Sequence, residues 1–207
     1  MSSHIFPFVF PAAIQKAYEA GLYTDLKIIC GNSEFMVHKI IVCSQSKVFH
    51  ATCSNGFMES STNTIDLTAD GISLVSRMIH CLYHGTYADF DAIEDAQDWK
   101  SGYQLHAGMY ALGDKYDLSV LKDTALVNFK LATKAKPKDR LGLIESIPIV
   151  YSSTPDSDRN LRDAALVKFK TYPSHFLHND VKASFQKVLL EVPDFSWDLH
   201  QYWMSVA

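Results

Sequence analysis

The chain lacks the short motifs that build phosphate cradles and catalytic elbows. It contains no G-x-G-x-x-G, no G-x-x-x-x-G-K-[ST], no G-x-S-x-G and no H-E-x-x-H. No nucleotide loop, hydrolase nucleophile turn or helical zinc-protease motif is therefore written in it. It has little excess charge: −4 at pH 7, with a pI near 6.1. That balance removes the footing for direct nucleic acid binding, which rests on phosphate neutralisation by lysine and arginine. Long apolar runs are missing too. The stretch Ile5-Phe6-Pro7-Phe8-Val9-Phe10-Pro11 is short, lacks a cationic flank and is interrupted by two prolines. It reads as neither a secretion signal nor a membrane span, so no membrane partner is expected. With 9 glycines and 7 prolines in 207 residues, collagen-like and linker-like chains are excluded. Cysteine is scarce: Cys30, Cys43, Cys53 and Cys81 all lie in the first 81 residues, among apolar neighbours. No Asn-x-Ser/Thr sequon accompanies them, and they read as reduced thiols of an intracellular protein, nuclear or cytoplasmic.

What is present is a globular composition, 47% hydrophobic and 20% charged, which excludes disorder as the main state. A chain of this length buries about 70% of its unfolded surface, enough for one generous domain or one domain with an appendage. Residues 12–20 predict a short helix started by Pro11 and stopped by Gly21, with Ile14, Tyr18 and Leu22 along one stripe. Alternation over 25–30 and 33–38 around Gly31-Asn32 predicts a β-hairpin. Two short helical pieces follow over 39–59, the second capped by Ser46 and broken at Asn55-Gly56. A strand is expected at 64–67 and an amphipathic helix at 71–84, with Ile72, Val75, Ile79 and Leu82 inward. Residues 86–101 carry Asp89, Asp91, Glu94, Asp95 and Asp98 and read as a solvated connection. Two helices over 102–131 break near Asp117-Leu118-Ser119. The lysines among residues 130–138 read as a solvated helix end running into a linker at Pro137. From 138 to 204 the pattern is mainly helical. One helix places Leu141, Ile144, Ile147 and Tyr151 on a face. A second, capped by Asp156 or Asp158, runs through Leu161, Ala165, Val167 and Phe169. A third carries Val181, Phe185, Val188 and Leu189, and the last starts at Pro193. The order is that of an α+β module with few strands and a helical tail.

The remaining candidates for chemistry are thin. His38, Cys43, His50 and Cys53 give H-x4-C-x6-H-x2-C, which is no familiar zinc spacing and reads as core packing. Cys81 and His84 share a helix face, but no third orienting group is evident for a nucleophile. No enzyme activity, metal or cofactor is expected. Asp25 is different. It opens a strand otherwise headed for the core, and the hairpin register sets it opposite His38-Lys39, so an Asp25–Lys39 or Asp25–His38 contact is expected.

Three blocks resemble a known family. Tyr23-Thr24-Asp25-Leu26 with Phe35-Met36-Val37-His38-Lys39 and Cys43–Phe49 resembles the opening of a BTB/POZ domain. Cys81-Leu82-Tyr83-His84-Gly85-Thr86-Tyr87 is similar to its helix-then-strand Y-x-G-x-Y element, and Tyr110–Lys122 to its Y-x-L-A-D-K-Y helix and the following turn. The blocks stand in family order, and the acidic connection and tail look most like fungal BTB proteins of this size. The resemblance implies a BTB/POZ fold, a small β-sheet with a helical cluster, followed by an all-helical C-terminal extension. The implied divisions are an arm and helix at 1–22, the BTB/POZ domain at 23–131 and the extension at 138–207.

It also implies a protein–protein interaction module with protein partners. The first reading is an adaptor joining a target to a cullin scaffold in a ubiquitin ligase complex. The alternative is a homodimeric scaffold or transcription-related co-regulator that binds no cullin. Phe57-Met58-Glu59 matches the apolar-x-Glu motif of cullin-binding members, with Tyr110 and Tyr116 on the accompanying helix; alternatively Phe57 packs against its own domain. Asp25 and Lys39 match the charged pocket of dimeric members, and Ile14, Tyr18 and Leu22 supply the expected dimer stripe. Pro7 and Pro11 disfavour an exchanged edge strand.

Overall fold

The computed structural model describes residues 12–54, 61–87, 101–135 and 139–206. Phe57, Glu59, the core of the acidic connection and the lysines at 136 and 138 lie outside the described residues. Packing divides the chain into two compact units. One falls within Met1–Asp98 and Leu112–Thr124, the other within Trp99–Ala111 and Ala125–Ala207. The division cuts through two helices of the 102–135 region.

The first unit opens with α1 (Ala12–Glu19), which buries no side chain. Strands β1 (Leu26–Cys30) and β2 (Ser33–Val37) form the expected hairpin, with Leu26 opposite Val37 and Cys30 opposite Ser33. Gly31 turns it at φ +60°, a conformation that glycine adopts without a side-chain clash. β1 is the central strand, because β3 (Thr64–Asp66) joins its other edge in parallel, giving the order β2-β1-β3. Leu26, Ile28 and Cys30 point into the core, while Lys27 and Ile29 are half-buried. The chain then enters α2 (Lys39–Gln45) and α3 (Lys47–Ser54). Ser46 caps α3 as expected, its hydroxyl oxygen accepting the Phe49 N–H at 3.0 Å.

Helix α4 (Ile72–His84) is the spine of this unit, with nine residues from Ser73 to Tyr83 buried. It ends at Gly85, which is left-handed and donates its N–H to Cys81 O at 2.8 Å. Helices α5 (Gly102–Lys115) and α6 (Ser119–Ala135) meet at the expected break, where Asp117 takes φ +51°. Their approach is close at Gly113: a Cβ there would stand 2.9 Å from the Lys122 backbone nitrogen.

The second unit is helical. Besides the start of α5 and the end of α6 it holds α7 (Arg140–Ser153), α8 (Asn160–Thr171), α9 (Asn179–Glu191) and α10 (Pro193–Val206). Asp139 caps α7 by accepting the Gly142 N–H at 2.9 Å. α7 is apolar on nearly all sides and lies at the centre, burying Leu143, Ile144, Ile147, Val150 and Tyr151. Leu141, expected inward, is instead 41% exposed, and Val167 on α8 is 52% exposed. Arg159 starts α8, with the Asp158 carboxylate accepting the Asn160 N–H at 3.3 Å. The core here is phenylalanine: Phe169 stacks on Phe176 at 4.2 Å and Phe185 at 5.6 Å, and meets Phe195 edge-on at 5.0 Å.

A small sheet with helices followed by a helical C-terminal region is the α+β architecture expected from the sequence. Among the described residues no helix is long and apolar enough to cross a membrane.

Candidate protein-interaction surface

The hairpin register brings residues 22–25 and 38–40 to one end of the sheet, since Leu26 pairs with Val37. A hydrogen-bond relay through Tyr83 fixes this end. The Tyr83 hydroxyl accepts the His38 backbone N–H at 2.9 Å and meets His38 Nδ1 at 2.9 Å. The other ring nitrogen, Nε2, lies 2.8 Å from Leu22 O. A carbonyl only accepts, so Nε2 carries a proton, and in that tautomer of the neutral ring Nδ1 accepts from the tyrosine hydroxyl. Burial pushes the Tyr83 hydroxyl up to about 12, which keeps it protonated and able to donate. Tyr18 stacks on the Tyr83 ring at 4.1 Å, and Gln15 Nε2 donates to Tyr83 O at 3.2 Å, tying α1 to α4.

This wiring redistributes the expected dimer stripe. α1 stops at Glu19, and Gly21 turns the chain at φ +65° with Leu22 N–H returning to Ala17 O. Leu22 therefore lies beyond the helix. Tyr18 faces its own α4, and Ile14 is half-buried. The stripe that periodicity drew is thus split. The exposed apolar residues at this end are Leu22 (52%), Tyr23 (88%) and Ile40 (75%). Tyr23 also holds φ +60°, a left-handed conformation that bulky residues adopt rarely and at a cost of about 1–3 kcal/mol. Tyr23 and Ile40 carried no signal as surface residues, because strand and helix periodicity place apolar side chains inward by default.

The Asp25–Lys39 contact forms, but not as a charge pair. The Asp25 carboxylate accepts the Lys39 backbone N–H at 2.7 Å, while the Lys39 ammonium donates to the Asn63 side-chain carbonyl. Lys39 is the first residue of α2, and His38 supplies no side-chain cap. Asp25 therefore works as a cap from outside the helix, satisfying an orphan N–H and placing negative charge at the positive end of the dipole.

Tyr110 and Tyr116 are not surface residues, being 1% and 8% exposed. In the second unit the Tyr110 hydroxyl donates to Asp158 at 2.7 Å. In the first unit Tyr116 stacks on Phe49 at 4.7 Å and donates to Asp70 at 2.5 Å. Asp70 also receives Lys115 at 2.5 Å, and the Tyr116 carbonyl accepts the Ser46 hydroxyl at 2.5 Å. Both rings are structural pins for α5. The carboxylates that hold them stand 48 and 46 residues away in sequence, a pairing that no local motif announces.

The cysteines carry free thiols. Burial pushes Cys81 up to about 12, and its helical neighbour His84 stacks on His80 at 4.0 Å. Cys43 is also pushed up to about 12, first by burial and then by its hydrogen bond with Cys53. Thiols held protonated in this way are poor nucleophiles and poor metal ligands. Of the four residues in the His/Cys spacing, His38 is buried, Cys43 and Cys53 are half-buried and His50 is exposed, so His50 departs from the expected core packing. Among the described residues no three His, Cys, Asp or Glu side chains gather around a metal-sized space.

Comparison with known families then adds one finding: residues 14–123, more than half of the chain, match the family model described as BTB/POZ domain.

Proposed function

The chain belongs to the BTB/POZ family, a family of protein-interaction modules, and from that premise we propose that it self-associates through the sheet end that carries Leu22, Tyr23 and Ile40. The observation supporting this reading is that three large apolar side chains stand in solvent on a segment held rigid by the Tyr83–His38 relay. Exposed apolar groups on a fixed backbone bind at little ordering cost, which suits a self-complementary two-fold contact. Asp25 and Lys39 border this end and give it polar edges.

A second reading, an adaptor for a cullin scaffold, is favoured by the Phe57-Met58-Glu59 motif. An aromatic anchor beside a carboxylate supplies both buried area and orientation. In that reading Tyr110 and Tyr116 act only by holding α5 in place. Light scattering separates the two. The self-association reading expects about twice 23.3 kDa for the wild type and one chain mass for Leu22→Asp with Ile40→Asp, with thermal stability retained. A dimer that survives both substitutions overturns it. Adding a cullin N-terminal domain tests the adaptor: a rise in mass that Glu59→Lys abolishes supports it, and no rise excludes it.

A further inference from the structure

The second unit holds a cavity of about 280 Å³ that neither proposed interaction uses. It lies where the start of α7, the end of α8 and the 3₁₀ turn Pro173–Phe176 converge, with Tyr103 of α5 behind them. Its floor is apolar and buried. Leu143, Phe176 and Tyr103 are each almost fully buried, and the Tyr103 hydroxyl is anchored on Ala132 O at 3.1 Å. One wall carries the rings of Tyr172 and His175, stacked on one another at 5.1 Å with planes 9° apart. Arg140 braces that wall, donating to His175 O at 3.0 Å and pairing with Asp180 at 2.6 Å.

The charges around the cavity are not equivalent. The Asp139 carboxylate accepts the Gly142 N–H and keeps its negative charge and further acceptor capacity. Of the two cations, Arg140 is neutralised by Asp180. Lys168 remains. Among the described residues its ammonium has the Tyr172 ring, 5.4 Å from the centroid, and no carboxylate. Volume decides the size of the occupant. Pockets for drug-sized ligands and cofactors run from about 300 to 1,000 Å³, so this one takes a single ring rather than a nucleotide. An apolar floor and a stacking wall select an aromatic ring. A cation at the rim selects a carboxylate next to it, and the Asp139 oxygens offer acceptors for a backbone N–H.

We propose that this cavity receives an aromatic side chain from an acidic segment of a partner protein, its ring against Tyr172 and His175 and a flanking carboxylate on Lys168. The proposal is independent of self-association and of cullin binding, since every residue it uses lies in the second unit. It gives the helical tail a role in holding a target.

The test uses the full chain, ¹⁵N-labelled, with the probe peptide acetyl-Asp-Phe-Asp-amide. Saturable shifts are expected in the amides of 139–143 and 168–176. Acetyl-Lys-Phe-Lys-amide and acetyl-Asp-Ala-Asp-amide should each bind at least about tenfold more weakly, the change that roughly 1.4 kcal/mol produces. Lys168→Glu should reverse the preference between the acidic and basic peptides. Tyr172→Ala, at a half-exposed position, should weaken both Phe peptides while thermal stability is retained. Shifts elsewhere, no saturation at millimolar peptide, or an unchanged charge preference in Lys168→Glu overturns the proposal. Phenylacetate binding as tightly as the acidic peptide also overturns it, assigning the cavity to a small aromatic acid.

Discussion

The two units of this chain are held by different physics. The first packs Leu26, Ile28, Val37, Ile41, Val75 and Ile79 beside the separate buried rings of Phe49 and Tyr83, and fixes its helix ends and turns with single polar atoms. The Tyr83 hydroxyl, the Ser46 hydroxyl and the Asp70 carboxylate each join segments 45 or more residues apart. The second is filled by four phenylalanines around α7. Its chief polar device is Arg162, 4% exposed, which donates to Thr154 Oγ1, Thr154 O, Tyr151 O and Asp156 and lies over the Tyr151 ring. The Thr154 hydroxyl in this device is itself buried and donates to Val150 O at 2.6 Å. Packing is non-directional and sets how firmly a unit holds; hydrogen bonds are directional and set where a loop points. In the first unit a single atom therefore controls what the surface displays. In the second, losing one side chain threatens the unit itself.

The largest expected effect follows from that contrast. Phe169→Ala removes the ring that touches Phe176, Phe185 and Phe195 at once. Transfer and cavity costs together should reach about 3–5 kcal/mol. Urea unfolding followed by tryptophan fluorescence reads it directly, since Trp197 and Trp203 both lie on α10. A loss under about 1 kcal/mol would mean that the nest relaxes around the gap, and the contrast between the units would fail.

Much of the first unit was legible in the sequence because strict alternation and a Gly-Asn turn leave one register for the hairpin. That register sets residue 25 opposite residue 38. What it did not say was which atom of Lys39 Asp25 would use, because a helix start offers its backbone N–H as a competitor to its own side chain. The second unit was legible as helices but not as faces. α7 is apolar nearly all round, so a 3.6-residue period cannot choose between Leu141 and Leu143, and burial chose Leu143. Tyr83 was seen only as part of a motif. Its role depends on α1, β2 and α4 arriving together, which no local pattern encodes.

The next effect sharpens the comparison on the hydrogen-bonding side. Tyr83→Phe keeps the ring and its stacking on Tyr18, and removes only the atom that serves His38 twice. Leaving a buried N–H without an acceptor costs about 1–3 kcal/mol, less than the phenylalanine loss. The sharper readout is association. With His38 unlocked, the Leu22 carbonyl loses its fixed partner, and the apolar residues beside it lose their rigid support. Light scattering should show a weaker dimer at a protein concentration where the wild type is fully associated. An unchanged dimer would show that the display does not depend on the relay.

The smallest effect is electrostatic and lies on the same helix. His80 is lowered from its ordinary 6.5 to about 4, first by burial and then by the neighbouring His84. Between those two values the unfolded chain binds the proton and the folded chain does not, so stability rises with pH across that interval. The contribution of a neutral His80 is therefore complete above about pH 6.5 and is lost as the pH falls toward 4. His80 is only partly buried, so solvent screens the penalty and the melting temperature should drop by no more than a few degrees. Carboxylates titrate at the lower end of the same window, so the informative quantity is the difference between the wild type and His80→Gln. That difference should shrink in a His84→Gln background, where one of the two causes has been removed. A pH profile identical in wild type and His80→Gln would show that α4 tolerates the charge at this position.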